Sequence, residues 1–260
     1  MHTALRERMP GLWPFVPAGY PDLSTTRELL LRMADLPIRG VELGFPFSDP
    51  IADGPVIQRA FSAALASGLR VADVLTMVAA VRSALPYPIL AMVSASIVYR
   101  IGLGAFAEQA AVAGLDGLIV PDLSLEEAPG IAAHLRTAGL ALSMLVAPTT
   151  PSDRQRAIAA VTTGFLYYVS VQGTTGERNH LPADLAVRVA SLRAATSLPV
   201  LVGFGISRPE QVREVCRVAN GAIVGSAIVH RMADMAALSP SLSVVEPTIT
   251  LVRELAEAVV

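Results

Sequence analysis

Residues 200–226 read VLVGFGISRPEQVREVCRVANGAIVGS, and this stretch decides the fold. Two short apolar runs, Val200–Val202 and Gly221–Val224, flank the segment Pro209–Val218, in which apolar residues recur at helical spacing. Ser207, two residues before a proline, is typical of a helix start. The apolar runs are unbroken, as expected for strands that are buried on both faces. The stretch therefore predicts a strand, a helix and a second, parallel strand.

The same alternation recurs along the whole chain. Six further strands are predicted, at Trp13–Val16, Gly40–Leu43, Pro88–Val93, Gly117–Val120, Leu140–Val146 and Phe165–Val169. The other predicted helices are Leu23–Ala34, Val56–Ser67, Val71–Ser83, Gly104–Ala113, Leu125–Ala138, Asp153–Val161, Ala183–Ala195, Ser226–Ala236 and Val245–Val260. Eight strand–helix units in 260 residues predict an α/β fold, a single closed (β/α)8 TIM barrel over residues 1–260. Extra helices are expected after the second strand and before the last helix.

An open, doubly wound sheet is the competing fold. That fold usually carries Gly-x-Gly-x-x-Gly after its first strand, whereas residues 17–21 here read Pro-Ala-Gly-Tyr-Pro. Two small domains would also suit the length, but no linker rich in serine, glycine, proline or charge divides the chain. The closed barrel is therefore the favoured prediction.

Composition narrows the classes of function. The chain is 53% hydrophobic and carries a net charge of −2 without a run of basic residues, so nucleic acid is not an expected partner. The most apolar stretch, 88–99, is shorter than the ~20 residues of a membrane span. Residues 1–11 lack the apolar core of a signal peptide, which predicts a cytoplasmic protein. The single cysteine, Cys216, excludes an internal disulfide and a cysteine-cluster metal site, and the absence of lysine excludes a lysine Schiff base.

A carboxylate interrupts the second apolar strand. Burying Glu42 is costly unless the side chain is paired or protonated, so a general acid–base role with a raised pKa is one interpretation. A structural Glu42 that is satisfied by an arginine or a backbone amide is the other. The following loop holds Asp49, Asp53 and three prolines, which stiffen it and can fix the carboxylates in place. Either aspartate could instead be an ordinary turn or cap residue.

Glycine turns follow the last two strands and predict a phosphate site. The turn at 203–207 and the pair Gly225 and Ser226, at the start of a short extra helix, would let backbone N–H groups approach an anion. Barrels of this type often bind phosphate in these two loops. A third turn, 173–176, follows the sixth strand and could close over the same group.

Residues 41–58, VELGFPFSDPIADGPVIQ, resemble the signature of the tryptophan synthase alpha subunit family. The three glycine turns are similar to the phosphate-binding turns of that family, and residues 15–21, 121–123 and 164–167 also match it. The resemblance covers essentially the whole chain. It implies a lyase of tryptophan biosynthesis that cleaves indole-3-glycerol phosphate to indole and glyceraldehyde 3-phosphate without a metal or an organic cofactor.

The resemblance also implies roles for individual residues. Glu42 and Asp53 match the catalytic acids, and Tyr167 matches the tyrosine beside them. The expected phosphate contacts are Gly176, Gly205, Gly225 and Ser226. The expected indole pocket is formed by Phe15, Ser94, Ile119, Thr175 and Phe204. The expected interface with a beta-type partner, in a heterotetramer, includes Asp49, Pro50 and Ser96.

Two serines depart from the family pattern. Ser94 stands where the family usually has tyrosine, and Ser96 where it usually has asparagine. We expect Ser94 to enlarge the substrate pocket and Ser96 to weaken a polar contact with the partner. Three alternatives stay open: a free-standing lyase for a variant indole, an idle subunit that only activates its partner, and a phosphosugar isomerase.

Overall fold

The computed structural model describes residues 10–48, 53–170, 181–238 and 243–259. Eight parallel strands close into a barrel in chain order, and the last strand pairs with the first. The strands are β1 (Leu12–Pro17), β2 (Val41–Gly44), β3 (Ile89–Met92), β4 (Gly117–Ile119), β5 (Ala141–Val146), β6 (Leu166–Val169), β7 (Val200–Gly203) and β8 (Gly221–Val224). The predicted barrel and all eight predicted strands are confirmed, and the open sheet is excluded.

Helices surround the barrel. Those in the described parts of the chain are α1 (Leu23–Met33), α2 (Pro55–Ala66), α3 (Val71–Val81), α4 (Ala95–Ile101), α5 (Leu103–Ala113), α6 (Ala128–Thr137), α7 (Ser152–Val161), α8 (Leu185–Ala194), α9 (Pro209–Val218), α10 (Ser226–Leu238) and α11 (Val245–Glu257). The extra helices expected after β2 and before the last helix are confirmed as α2 and α3 and as α10.

Helix α4 was not predicted. The sequence pattern runs through it as one apolar stretch, because Ile97 and Val98 are β-branched and look like a continued strand. The chain instead leaves β3 after Met92, and the Ser94 hydroxyl caps α4 by accepting from the Ser96 N–H at 3.2 Å. A single capping serine within an apolar run is too weak a signal to reveal a short helix.

Helix α6 begins later than predicted. The Ser124 hydroxyl donates to the Glu127 carboxylate at 2.6 Å and accepts from the Glu127 N–H at 3.2 Å. This reciprocal pair resembles a capping box. However, the helix starts only at Ala128, because Leu125 to Glu127 form a turn.

Alternation along the strands decides which side chains point into the barrel. A buried interior cluster contains Trp13, Leu90, Ile119, Ala141, Phe165, Tyr167, Leu201 and Ile223. Residues between them, such as Leu43 and Tyr168, pack outwards against the helices. In the β1–β2 ladder, Phe15 lies opposite Glu42. Side chains of α2 pack against Phe15, which brings this extra helix over one side of the barrel opening.

Within the described ranges, no individual helix has the length and apolar character needed to cross a membrane. Helices α2 and α3 pass that test only when they are taken together, as a pair bent by 97°.

Candidate active site

One cavity brings most of the predicted site together. Its wall contains Glu42 from β2, Asp53 from the loop before α2, and Tyr167 from β6. The other lining residues are Phe15, Ile57, Met92, Phe204, Gly205, Ile206, Ile223, Gly225 and Ser226. The two carboxylates and the glycine turns after β7 and β8 therefore face the same space.

The cavity is narrow in this conformation. It encloses about 30 Å³, which is room for about two water molecules. Phe15, Met92 and Phe204 are among its apolar lining residues. A bicyclic aromatic ligand needs more room, so the cavity must widen when such a ligand binds.

Glu42 is buried in the wall of this cavity. Its residue is only 1% exposed, and neither carboxylate oxygen has a hydrogen-bond partner among the described residues. The structural interpretation, in which an arginine or an amide satisfies this side chain, therefore finds no support. Burial raises the pKa of Glu42 to about 8, with a further contribution from the negative charge of Asp53. At pH 7 the group is therefore mostly protonated, as a general acid must be.

Asp53 is the second carboxyl group in the wall of the cavity. Its backbone carbonyl accepts from the Gln58 side chain at 2.8 Å, which fastens the end of the loop to α2. The residue is buried, and its Oδ1 has no hydrogen-bond partner within the described part of the chain. Burial raises the pKa of Asp53 to about 6. At pH 7 it is therefore mostly ionised, so the two carboxyl groups differ in charge under the same conditions.

Tyr167 packs beside both acids. Burial, followed by the charges of Glu42 and Asp53, raises the pKa of Tyr167 well above its ordinary value, so its hydroxyl keeps its proton. The ring meets Phe204 edge-on, with centroids 6.1 Å apart. A Cβ atom at Gly203 would lie 2.3 Å from the Tyr167 hydroxyl oxygen. The glycine that ends β7 is therefore needed for this tyrosine to reach the cavity.

The turn after β7 is strained. Phe204 has a φ of +73°, and Gly205 follows at +76°. Among the described residues, Phe204 alone has a positive φ without being a glycine. For a bulky residue this conformation costs about 1–3 kcal/mol. Ser170 offsets the strain, because its hydroxyl lies 2.9 Å from the Gly203 carbonyl oxygen and 2.6 Å from that of Phe204. The turn thus holds an aromatic ring and a glycine backbone against the cavity.

The second glycine turn leads into a helix. Ser226 begins α10, and the Gly225 carbonyl accepts from the N–H groups of Ile228 and Val229. The N–H groups of the first turn have no acceptor within their own helix, and they carry the positive end of the helix dipole. A Cβ atom at Gly225 would meet Phe15 only at an ordinary contact of 3.5 Å. Packing does not demand glycine here, which suggests that its bare backbone serves a ligand in the cavity.

These polar groups suit an organic anion better than a metal ion. Two carboxylates face the cavity, and the turns after β7 and β8 add backbone amides and the hydroxyl of Ser226 to the same wall. In the described ranges no three side chains of His, Cys, Asp or Glu come together as metal ligands would.

Three predicted site residues lie elsewhere. Ile119 belongs to the packed interior of the barrel and does not line this cavity. Ser94 caps α4, and its hydroxyl donates to the Asp122 carboxylate at 2.7 Å. Ser96 is exposed on α4, with its hydroxyl 2.8 Å from that of Ser94. The structure therefore does not support the expectation that Ser94 enlarges the pocket.

Four more predicted residues, Asp49, Pro50, Thr175 and Gly176, lie outside the described residues.

The sequence prediction missed Ser170 and the cavity-lining residues Ile57, Met92, Ile206 and Ile223. Met92 could have been found, because it follows the inward-facing Leu90 by two residues in the same strand. Ser170 could not, because its role depends on carbonyl groups more than thirty residues away.

Comparisons with known proteins agree on one family. The family model described as "Tryptophan synthase alpha chain" matches residues 1–260. The tryptophan synthase alpha chain of Synechococcus sp. (strain CC9902) is 48% identical over 229 residues, 88% of this chain and 85% of that protein. Mycobacterium tuberculosis tryptophan synthase superposes with a TM-score of 0.87 at 33% identity, over 97% of this chain and 93% of that one. The tryptophan synthase complex from Pyrococcus furiosus gives 0.86 at 32% identity, over 94% and 97%.

Proposed function

The chain belongs to the tryptophan synthase alpha chain family, and from this membership we propose that Glu42 and Asp53 perform the proton transfers of its reaction. It is a lyase that cleaves indole-3-glycerol phosphate to indole and glyceraldehyde 3-phosphate. One observation carries the assignment of roles: two buried carboxyl groups in one cavity have pKa values near 8 and near 6. One acid and one anion therefore coexist at neutral pH.

Glu42 begins the reaction as the acid. It gives its proton to C3 of the indole ring, which places a positive charge on the ring nitrogen. The ionised Asp53 accepts a hydrogen bond from that N–H group and stabilises the charge. Glu42 is now a carboxylate and takes the proton of the substrate hydroxyl on the glycerol carbon that is attached to C3. The C–C bond breaks, its electron pair restores the indole ring, the hydroxyl carbon becomes the aldehyde, and Glu42 is protonated again.

The cavity wall positions the two ends of the substrate. Phe15 and Phe204 bracket the ring, with Tyr167 beside the acids. Gly205, Gly225 and Ser226 bind the phosphate through backbone N–H groups and a hydroxyl. Gly176 and Thr175, which the family resemblance adds to the phosphate and indole contacts, remain predictions.

Gly225→Val tests the phosphate end. The neighbouring side chain is at ordinary contact distance, so we expect a folded protein in which the valine crowds the anion. The KM should rise at least about tenfold. An unchanged KM would show that the phosphate does not bind at Gly225.

A beta-type subunit is the proposed partner, because one solved relative is described as a tryptophan synthase complex. We assign Asp49, Pro50 and Ser96 to this interface on the family resemblance. Ser96 is exposed on α4 beside a groove lined by Pro46, Phe47 and Ile97, so its side chain is accessible to a partner. The relatives give no support to the expectation that the serines at 94 and 96 weaken the partnership. A cytoplasmic location also remains a prediction.

Indole release by the purified chain, measured while a tryptophan synthase beta subunit is titrated in, tests function and partnership together. We expect release without the partner and faster release with it. Absence of release in both conditions would refute the proposed chemistry, whereas release that the beta subunit does not change would refute only the partnership.

A further inference from the structure

Ser170 lies just beyond the end of β6 and outside the lining of the cavity, yet it holds the strained turn. The residue is 3% exposed, and its hydroxyl proton is shared between the carbonyl oxygens of Gly203, at 2.9 Å, and Phe204, at 2.6 Å. Its own N–H donates to the Gly203 carbonyl at 3.1 Å. We infer that Ser170 is a positioning residue for phosphate: it fixes the Phe204–Gly205 peptide so that the Gly205 N–H is presented to the anion.

The geometry of the peptide bond connects the two groups. A trans peptide is planar, and its C=O and N–H point in opposite directions. When Ser170 holds the Phe204 carbonyl, the N–H of Gly205 must point away from Ser170. Gly205 lines the cavity together with Gly225 and Ser226, the other proposed phosphate contacts. One hydroxyl therefore sets the direction of a backbone donor that the side chain itself does not touch.

The turn needs such a restraint. An aromatic residue does not favour a positive φ, so Phe204 would relax if its carbonyl were released. The far end of the turn is held separately, because the Gln211 side-chain oxygen accepts from the N–H of Ser207 at 2.9 Å and of Arg208 at 3.1 Å. Loss of Ser170 should therefore reorient one peptide and leave the rest of the loop in place.

The inference rests on the proposed function, because it takes phosphate to be the anion at Gly205. It predicts that loss of the Ser170 hydroxyl weakens substrate binding and leaves the chemical step nearly unchanged. Glu42 and Asp53 belong to other elements, so a bound substrate should still react at nearly the normal rate. The loss should appear in the binding of the phosphate group.

The experiment compares Ser170→Ala, Ser170→Thr and Ser170→Val. Thr keeps the hydroxyl, whereas Val has nearly the same shape without it, so this pair separates the hydrogen bond from side-chain size. Affinity for glycerol 3-phosphate is measured by calorimetry, and KM and kcat are measured with indole-3-glycerol phosphate. Ser143→Ala is the matched control, because Ser143 is also fully buried and accepts from the Phe165 N–H at 3.1 Å on the opposite side of β6.

We expect Ser170→Ala and Ser170→Val to lose about tenfold in glycerol 3-phosphate affinity and to show a similar rise in KM, with kcat within about threefold. Ser170→Thr and Ser143→Ala should stay within about threefold of the parent protein in affinity. Equal affinity in Ser170→Val and Ser170→Thr, or a loss in kcat alone, would overturn the inference. A parent protein that binds glycerol 3-phosphate but releases no indole would refute the proposed function and leave this comparison valid. A parent protein that binds no glycerol 3-phosphate would overturn this inference, whereas its release of indole would still decide the proposed function.

Discussion

Replacing Glu42 with glutamine should remove activity. It should also change stability: the free energy of unfolding of the variant should increase relative to that of the parent as the pH rises. Glu42 is buried, and its two carboxylate oxygens find no partner among the described residues. Glutamine has nearly the same shape and is uncharged, like the protonated acid. Asp53 would therefore titrate in similar surroundings in both proteins.

The magnitude follows from the two pKa values of Glu42. Burial raises the pKa from an ordinary value of 4.5 to about 8 in the folded protein. Between these values the folded state binds the proton and the unfolded state releases it. The stability contribution is therefore intact below pH 4.5 and is lost as the pH rises through 8. The values differ by 3.5, and at about 1.36 kcal/mol per pH unit the loss is about 5 kcal/mol, as an order of magnitude.

The assay is urea unfolding of the parent and Glu42→Gln at several pH values from 5.5 to 7.5. The difference in the free energy of unfolding should move by about 2–3 kcal/mol in favour of the variant over those two pH units. Glu254→Gln, on an exposed position of α11, is the matched control. It should change the free energy of unfolding by less than about 0.5 kcal/mol throughout.

A difference between the parent and Glu42→Gln that stays constant with pH would refute the reasoning, because it would mean that Glu42 ionises as easily in the folded state as in water. Turnover by the same variant provides the link to function. Loss of the proton donor should lower kcat by about 10²–10⁴-fold, with the affinity for glycerol 3-phosphate within about threefold.

Three further predictions follow from the same geometry. The pH profile of kcat/KM should be bell-shaped, with limbs near 6 and near 8, because Asp53 must be ionised and Glu42 protonated; a flat profile over that range would contradict the assigned roles. Asp53→Asn should lower kcat at least about 10²-fold and move the alkaline limb of the residual activity to lower pH, because the charge of Asp53 helps to raise the pKa of Glu42. Gly203→Ala should destabilise the fold by about 1–3 kcal/mol in urea unfolding, since its Cβ would meet the Tyr167 hydroxyl oxygen at 2.3 Å. The control Gly130→Ala, exposed in α6 with nothing within 4 Å of the new Cβ, should be neutral or stabilising, and equal effects would show that this steric argument is wrong.

The sequence predicted the barrel because its evidence is local. Each strand is a short apolar run between turn residues, and Gly221–Val224 is found with the predicted bounds. Helix α4 was missed for the opposite reason, since β-branched residues such as Ile97 and Val98 hide a helix within an apolar run. The role of Ser94 depends on the Asp122 carboxylate, 28 residues away, which no local pattern reveals.

The site divides in the same way. Glu42 could be singled out from the sequence, because a carboxylate inside an apolar strand is costly to bury. The structure was needed to show that no described residue hydrogen-bonds to its carboxylate. The position of Asp53 in the same cavity required the fold, although the family resemblance implied it. Phe204 has a positive φ, and its carbonyl accepts a hydrogen bond from the Ser170 hydroxyl. This hydrogen bond forms only because β6 and β7 lie side by side, so the sequence alone could not reveal it.

The most direct test of the acid–base pair is a ¹³C NMR titration of the side-chain carboxyl carbons, assigned with Glu42→Gln and Asp53→Asn. We predict that Glu42 takes up its proton near pH 8 and Asp53 near pH 6. Titration of both groups below pH 5 would mean that neither can act as an acid at neutral pH, and it would contradict the proposed mechanism.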